Sequence, residues 1–283
     1  MTPGLPVAAE ELVLWHRNYQ SEPVRALVQM ALDKTPEYPD LTLVASKPMG
    51  QGRALRELRE GRRSKVAVAN VATSPEREDQ LLPIALPFDR GLLGYRVCLI
   101  REGNQAHFDG IDSVASFNRR GLLIGQGRHW PDRIILQSNG LNVVTAAHFQ
   151  NLFAMLRRSR FDCFLRGAGE VLIDLQQQDT KGLTVERNLL FRYDMPSYLF
   201  VGPDNTQLAL RLELGIRRAM ESNDFNDYFN RYFRPAIVEL RLYERQTIRL
   251  ENPYLSAEGE VDLPMMPLKR ENLPPFPATR ETQ

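Results

Sequence analysis

Two arginines and one glycine-rich turn have the residue types and positions to do chemistry. Arg77 and Arg166 each stand just past an apolar run of strand type, Val66–Val71 and Phe161–Leu165. A guanidinium is a permanent cation whose fork of N–H donors matches a carboxylate or phosphate. The segment Gly125-Gln-Gly-Arg-His-Trp130 follows the run Leu122–Ile124 and leads into a helix through Ile134, Ile135 and Asn139. It predicts a helix start whose free N–H groups and positive dipole end face outward. In open α/β sheets, ligands bind at the carboxyl ends of the strands. Taken singly, each arginine reads as a surface charge or a structural ion partner. Their shared topological position instead predicts an anion-binding cleft.

Other chemistry finds little support. The chain has no G-x-S-x-G elbow, no H-E-x-x-H, no phosphate loop and no C-x-x-C. Gly50-Gln-Gly52 and Gly125-Gln-Gly127 are isolated G-x-G pairs without the rest of a dinucleotide fingerprint. His16, His107, His129 and His148 lie far apart, without ligand spacing, so no metal and no cofactor is expected. Cys98 and Cys163 both sit in apolar runs and read first as two buried thiols. A bridge between them needs neighbouring strands and an oxidising compartment.

The elements that must position these residues come in a repeated order. Leu12–Trp15 reads as a strand, His16–Gln20 as a loop, and Ser21-Glu-Pro23 as the cap of a helix carrying Val24, Leu27, Val28, Ala31 and Leu32 on one face. Leu41–Ala45 is a strand, and a helix opens at Gly50–Gly52. Arg53, Arg56, Arg59, Arg62, Arg63 and Lys65 line that helix and its exit. No aromatics interleave with them and Glu57 and Glu60 interrupt them, so the run reads as a solvated face and not as a nucleic-acid site. Val66–Val71 completes a β-α-β-α-β order, the signature of a doubly wound sheet. Gly91 and Gly94 then break the chain, and the order restarts at Tyr95–Ile100. Strands at Leu122–Ile124, Val143–Ala146 and Phe161–Leu165 alternate with helices. Ser197–Val201 is a further strand, followed by two long helical stripes and a proline-rich tail from Asn252.

At 283 residues the chain can form one large or two ordinary domains, and 43% apolar with 25% charged residues is ordinary globular composition. A net charge of +1 provides no field for nucleic acid or an anionic membrane. No run is long and apolar enough to span a bilayer. Pro6-Val-Ala-Ala9 before Glu10-Glu11 resembles the tail of an export signal.

Over residues 11–250 the chain resembles the type II periplasmic solute-binding proteins of the polar amino-acid class (solute-binding protein family 3). Thr73-Ser-Pro-Glu-Arg77 resembles the family's T-x-x-E-R, and Leu81–Phe88 its F-S-x-P-Y segment. The Gly91-Leu-Leu-Gly94 crossing, the strand–GQG–helix unit at 121–130 and Arg160-Phe-Asp162, similar to G-R-x-D, follow in order. The resemblance implies two doubly wound α/β lobes joined by a two-strand hinge near Phe88–Tyr95 and Tyr193–Tyr198. Residues 1–90 and 197–283 would form the first lobe and 91–196 the second, with ligand trapped by closure. It also implies that Arg77 grips a ligand carboxylate within a loop that includes Thr73. A backbone N–H near Gly127 would assist, and Trp15 or Tyr19 would stack on the ligand. Trp130, after the expected helix start, and Arg166 join this candidate site.

One departure stands out. Where the family places an aspartate for the ligand's ammonium, this chain has Gly167, preceded by Arg166, and Glu170 one turn further on is the substitute acid. The expectation is therefore an anionic or amino-acid-like solute, an ABC-transporter permease as membrane partner, a monomer and a periplasmic location. The alternatives are a ligand-sensing domain feeding a signalling partner, and an enzyme of dehydratase type on the same fold.

Overall fold

The computed structural model describes residues 10–61 and 65–255, so the export-like segment at 6–9 and the tail from 256 lie outside the described residues. The first sheet is built from β1 (Glu10–Leu14), β2 (Leu41–Ala45), β3 (Val68–Ala72), β4 (Leu82–Ile84) and β11 (Ser197–Val201), in the order β2-β1-β3-β11-β4. β1, β2 and β3 run parallel, while β11 is antiparallel to both β3 and β4. The helices α1 (His16–Gln20), α2 (Glu22–Asp33), α3 (Gln51–Arg59) and α4 (Pro75–Gln80) connect the parallel trio and lead to β4. The segment 16–20 expected as a loop is therefore a short helix, separated from α2 by the extended Ser21.

The second sheet takes β5 (Tyr95–Arg101), β6 (Ile124–Gly127), β7 (Val143–Ala146), β8 (Cys163–Gly167), β9 (Leu183–Val185) and β10 (Leu189–Arg192). It also recruits β12 (Gln246–Arg249), in the order β12-β10-β5-β8-β6-β7, with β9 on β5. The two sheets follow one plan. Each has a parallel trio ordered second-first-third, and beside the third lies, antiparallel, the first strand made after the chain crosses over: β11 in one lobe, β5 in the other. β12 departs from the sequence expectation that residues 197–283 go with the first lobe. After α9 (Thr206–Glu221), α10 (Asp224–Tyr232) and α11 (Arg234–Glu239), the chain returns to pair with β10. Arg245 fixes that return. It donates to the main-chain oxygens of Leu240, Glu186 and Leu189 beside the fully buried Glu186 carboxylate.

α2 forms for the expected reasons: Ser21 sits at the N-cap, Pro23 in the first turn, and Val24, Leu27, Val28, Ala31 and Leu32 are buried. α9 packs against it closely enough that a Cβ on Gly215 would lie 2.0 Å from the Ala31 carbonyl oxygen. Only glycine permits that approach. In the second lobe α5 (Val114–Arg119), α6 (Asp132–Ser138), α7 (Phe149–Arg157) and α8 (Ala168–Gln177) cover the sheet.

The reading of Cys98 and Cys163 as two thiols is corrected. β5 and β8 are neighbours, Cys98 faces Leu165 and Leu99 faces Phe164. Continuing that register puts Cys163 opposite Ile100, one same-face step from Cys98. The two sulfurs are bonded, with Cα atoms 5.0 Å apart.

The crossings lie side by side. Asp89 accepts the backbone N–H groups of Gly91 and Leu93, and Tyr193 donates its N–H to the Gly94 carbonyl. A Cβ on Gly94 would lie 2.1 Å from the Tyr193 oxygen, so the second crossing rests directly on the first.

Candidate functional site

Between the lobes lies a cavity of about 200 Å³, below the ~300–1,000 Å³ of drug-sized ligand pockets. Its walls carry four arginines, Arg17, Arg77, Arg96 and Arg166, and four acids, Asp89, Asp132, Glu170 and Asp174. These charges are not distributed evenly.

The first-lobe wall is cationic. β3 ends at Ala72, Ser74 takes the N-cap of α4 and Pro75 opens it, which turns Arg77 back over the strand end. The buried Arg77 guanidinium donates to the Ala72 carbonyl, to Gln51 Oε1 at 3.1 Å and, across the cleft, to the His129 carbonyl at 3.0 Å. All three acceptors are neutral, and among the described residues no carboxylate lies within ion-pair distance of it. Burial therefore lowers its pKa to about 10, with only partial compensation from the more distant Asp132 and Glu76. It remains a cation at neutral pH. Arg17, in the first turn of α1, holds its guanidinium 3.8 Å over the Phe149 ring of the second lobe. Among the described residues it has no hydrogen-bond acceptor and no ion pair. Burial and then the nearby Arg166 lower its pKa.

The second-lobe wall pairs its charges. Arg96 on β5 meets Asp132 at 2.8 Å, and the Tyr193 hydroxyl donates to the same carboxylate at 2.6 Å. Arg166, at the end of β8, meets Asp174 at 2.6 Å and Glu170 at 3.3 Å, and Glu170 lies 3.6 Å from Arg96. Burial would lower the Arg166 pKa, but Asp174 and Glu170 outweigh it and hold the proton more firmly than usual. Glu170 responds in the opposite sense: burial would raise it, and Arg166, Arg96 and Arg17 outweigh that and keep it ionised. Arg166 also lies 5.1 Å from the Trp130 and Phe149 rings, and Trp130 stacks on Phe164. Asp89 stands at the joint between the walls. Burial pushes its carboxyl up to about 6 against the pull of its two backbone donors.

The structure brings Arg77, Trp15, Trp130, Arg166 and Glu170 to one cavity. Trp15 is buried there with its indole N–H on the Met49 carbonyl. Thr73, Tyr19 and Gly127 do not line it. The Thr73 hydroxyl donates to Glu78, and the Tyr19 ring lies in the core beneath Arg25. Gly127 is the last residue of β6, opposite Ala146, because parallel pairing with β7 continues through the Gly-Gln-Gly segment. The helix start expected at Gly125–Trp130 lies instead at Asp132, after Pro131. Sequence reasoning missed Arg17, although it follows β1 at the same strand edge that singled out Arg77 and Arg166. Arg96 and Asp132 gave no such signal: one sits in an apolar strand and the other at a helix start. No group of three or more His, Cys, Asp or Glu among the described residues is placed to hold a metal ion.

No protein-family model and no curated protein matches the chain. Solved structures do. A periplasmic binding protein of Salmonella typhimurium with high arginine specificity superposes at TM-score 0.59 and 13% identity, covering 80% of this chain and 100% of that one. An amino-acid ABC transporter substrate-binding protein of Streptococcus pneumoniae bound to L-arginine superposes at 0.57 and 12%, covering 78% and 93%. The VFT2 domain of Bordetella pertussis BvgS, as a double mutant, does so at 0.57 and 14%, covering 79% and 93%. The site lies where two similar α/β lobes face each other around crossing strands, the layout of a two-lobed binding fold. More narrowly, the fold is that of the type II periplasmic binding proteins, the fold of amino-acid substrate-binding proteins of ABC transporters.

Proposed function

We propose that this chain is an extracytoplasmic solute-binding protein that captures a small carboxylate-bearing solute between its lobes. The solute is an amino acid, a derivative or another organic anion, delivered to the permease of an ABC transporter. One observation carries the reading: Arg77 is a buried cation in the cleft with only neutral partners, among them oxygens from both lobes. A carboxylate entering the cleft supplies the missing counter-charge and, through a charge-assisted fork, draws the lobes together. The division into a first lobe of 1–90 plus most of the C-terminal region and a second lobe of 91–196 belongs to this reading, with the crossings at 88–95 and 193–198 as hinge. The Cys98–Cys163 bridge supports an oxidising compartment such as the periplasm. No helix among the described residues is long and apolar enough to cross a membrane. In this reading the protein is a monomer, and it releases its ligand unchanged because the cleft acids are held in ion pairs or by backbone donors.

The test is thermal stabilisation by a panel of carboxylates, since a ligand that binds only the folded form raises the melting temperature, by an amount that grows with the logarithm of ligand over Kd. The expected result is a shift in the parent protein that is lost in Arg77→Ala. An unchanged shift in that variant overturns the site. The likeness to the BvgS domain favours a second reading, a ligand-sensing domain feeding a signalling partner. The two separate on whether the purified protein, with its ligand, stimulates a cognate permease in proteoliposomes.

A further inference from the structure

The cleft holds a second cation that the reading above does not use. Arg17 leaves β1 at the same strand edge as Arg77, lines the same cavity, and presents its guanidinium to it without a hydrogen-bond acceptor or ion pair among the described residues. It lies over the face of Phe149, 3.8 Å away on the opposite lobe. Arg166 lies 5.1 Å from the same ring, so two like charges share one aromatic from opposite sides of the cleft. That arrangement is unfavourable in the absence of an anion, because like charges beside each other disfavour the charged forms. Arg166 meets Asp174 and Glu170 within ion-pair distance, whereas Arg17 feels the same two acids only from further away and, among the described residues, makes no ion pair.

The acids offer little to a positively charged ligand. Asp132 and Asp174 are each held within 2.8 Å of an arginine, and Asp89 is closed off by two backbone N–H groups. Glu170 alone faces the cleft in part, and it already lies between Arg96 and Arg166. The position that would carry an ammonium-binding aspartate in the resembled family is Gly167, where a Cβ would already press on Glu170 at 2.7 Å.

We propose that Arg17 is a second anion-holding residue, and that the cleft selects a ligand with two anionic groups, a dicarboxylate or acidic amino acid, over monocarboxylates and cationic amino acids. The inference rests on the assignment of Arg77 as the first anion holder. One carboxylate sits on Arg77. The other takes the donors that Arg17 presents to the cavity, where it neutralises a first-lobe cation and relieves its repulsion with Arg166. Both holders stand on the first lobe, and each already reaches the second, Arg17 at Phe149 and Arg77 at the His129 carbonyl. The preference is opposite in charge to the L-arginine held by the Streptococcus pneumoniae neighbour.

Titration calorimetry with succinate, glutarate, L-glutamate, L-glutamine and L-arginine tests this. A charge-assisted hydrogen bond in a partly desolvated site is worth roughly 10- to 100-fold in affinity. The best dianion is therefore expected to bind at least ~10-fold more tightly than L-glutamine, with L-arginine weakest. Arg17→Met keeps an unbranched side chain over Phe149. It is expected to remove that ~10-fold advantage by weakening the dianions more than L-glutamine, and Arg17→Lys is expected to restore part of it. Arg77→Ala is expected to weaken dianion and monoanion alike. If L-glutamine and the dianions bind equally and Arg17→Met is silent, the second subsite is wrong while the first stands. Tightest binding by L-arginine overturns it as well. If no carboxylate binds the parent protein and Arg77→Ala changes nothing, the underlying reading falls too.

Discussion

The two walls of the cleft contain the same side chain in different circumstances. On the second lobe, Arg96 and Arg166 are almost fully buried, and each touches a carboxylate at 2.8 Å or less. On the first lobe, Arg77 is nearly as buried but donates only to neutral oxygens, and Arg17 rests on an aromatic face without a hydrogen-bond acceptor among the described residues. Burying a charge is costly unless a counter-charge and hydrogen bonds compensate it. The second-lobe arginines meet that condition from within the chain, so they read as structure. The first-lobe arginines do not, so their counter-charge is expected from outside. Cation count alone would give both walls the same role, and the partners separate them.

The sharpest way to break this contrast is to strip a partner from the paired wall. Asp174→Leu leaves Arg166 buried with only Glu170 at 3.3 Å. It is expected to destabilise the protein by about 3–5 kcal/mol in urea unfolding, the usual cost of orphaning a buried ion-pair partner. The double variant Arg166→Met/Asp174→Leu removes both charges and is expected to recover most of that loss. If the single variant is as stable as the parent, Arg166 is not held by Asp174 and the second wall is as open to ligand as the first.

The joint between the walls gives a pH signature of somewhat smaller size. Asp89 titrates near 6 in the folded protein against 3.8 for the free side chain. The folded state therefore binds this proton more tightly than the unfolded chain does. Ionised Asp89 weakens folding above pH 6, and that penalty disappears as pH falls toward 4. The gap corresponds to about 3 kcal/mol. Other carboxylates oppose this trend in the whole protein, so the informative quantity is a difference. The stability of the parent relative to Asp89→Asn is expected to rise by up to about 3 kcal/mol between pH 7 and pH 4. Parallel curves would show that burial at the hinge does not strain this carboxylate.

The difference between the walls also marks what could be read from sequence. Short apolar runs bounded by turns, such as Leu41–Ala45, Val143–Ala146 and Ser197–Val201, are strands at the expected bounds. Gly125-Gln-Gly127 was misread because glycine suggests a turn, whereas pairing with β7 holds it extended. β12 was invisible, since Ile248 alone of Gln246–Arg249 is buried. Arg77 and Arg166 were legible from the strand-edge rule, whereas Arg17 was missed although it stands at the same edge after β1. Arg166 finds Glu170 and Asp174 within eight residues, but the Arg96 partner, Asp132, is distant in sequence and no local pattern announces it.

The smallest expected stability effect is the most telling. In Arg77→Met the chain loses donors to Ala72, Gln51 and His129, each net hydrogen bond worth about 0.5–1.5 kcal/mol. It also loses the cost of desolvating a cation that has no counter-ion, which has the opposite sign and a comparable size. The net change is expected to stay within about 1 kcal/mol, well below that of Asp174→Leu, while stabilisation by carboxylates vanishes. A variant that folds as firmly as the parent but no longer responds to ligand separates the two walls in one measurement. A loss of 3–5 kcal/mol instead would place Arg77 with Arg166 among the structural cations, and the cleft would lose the asymmetry from which its function is inferred.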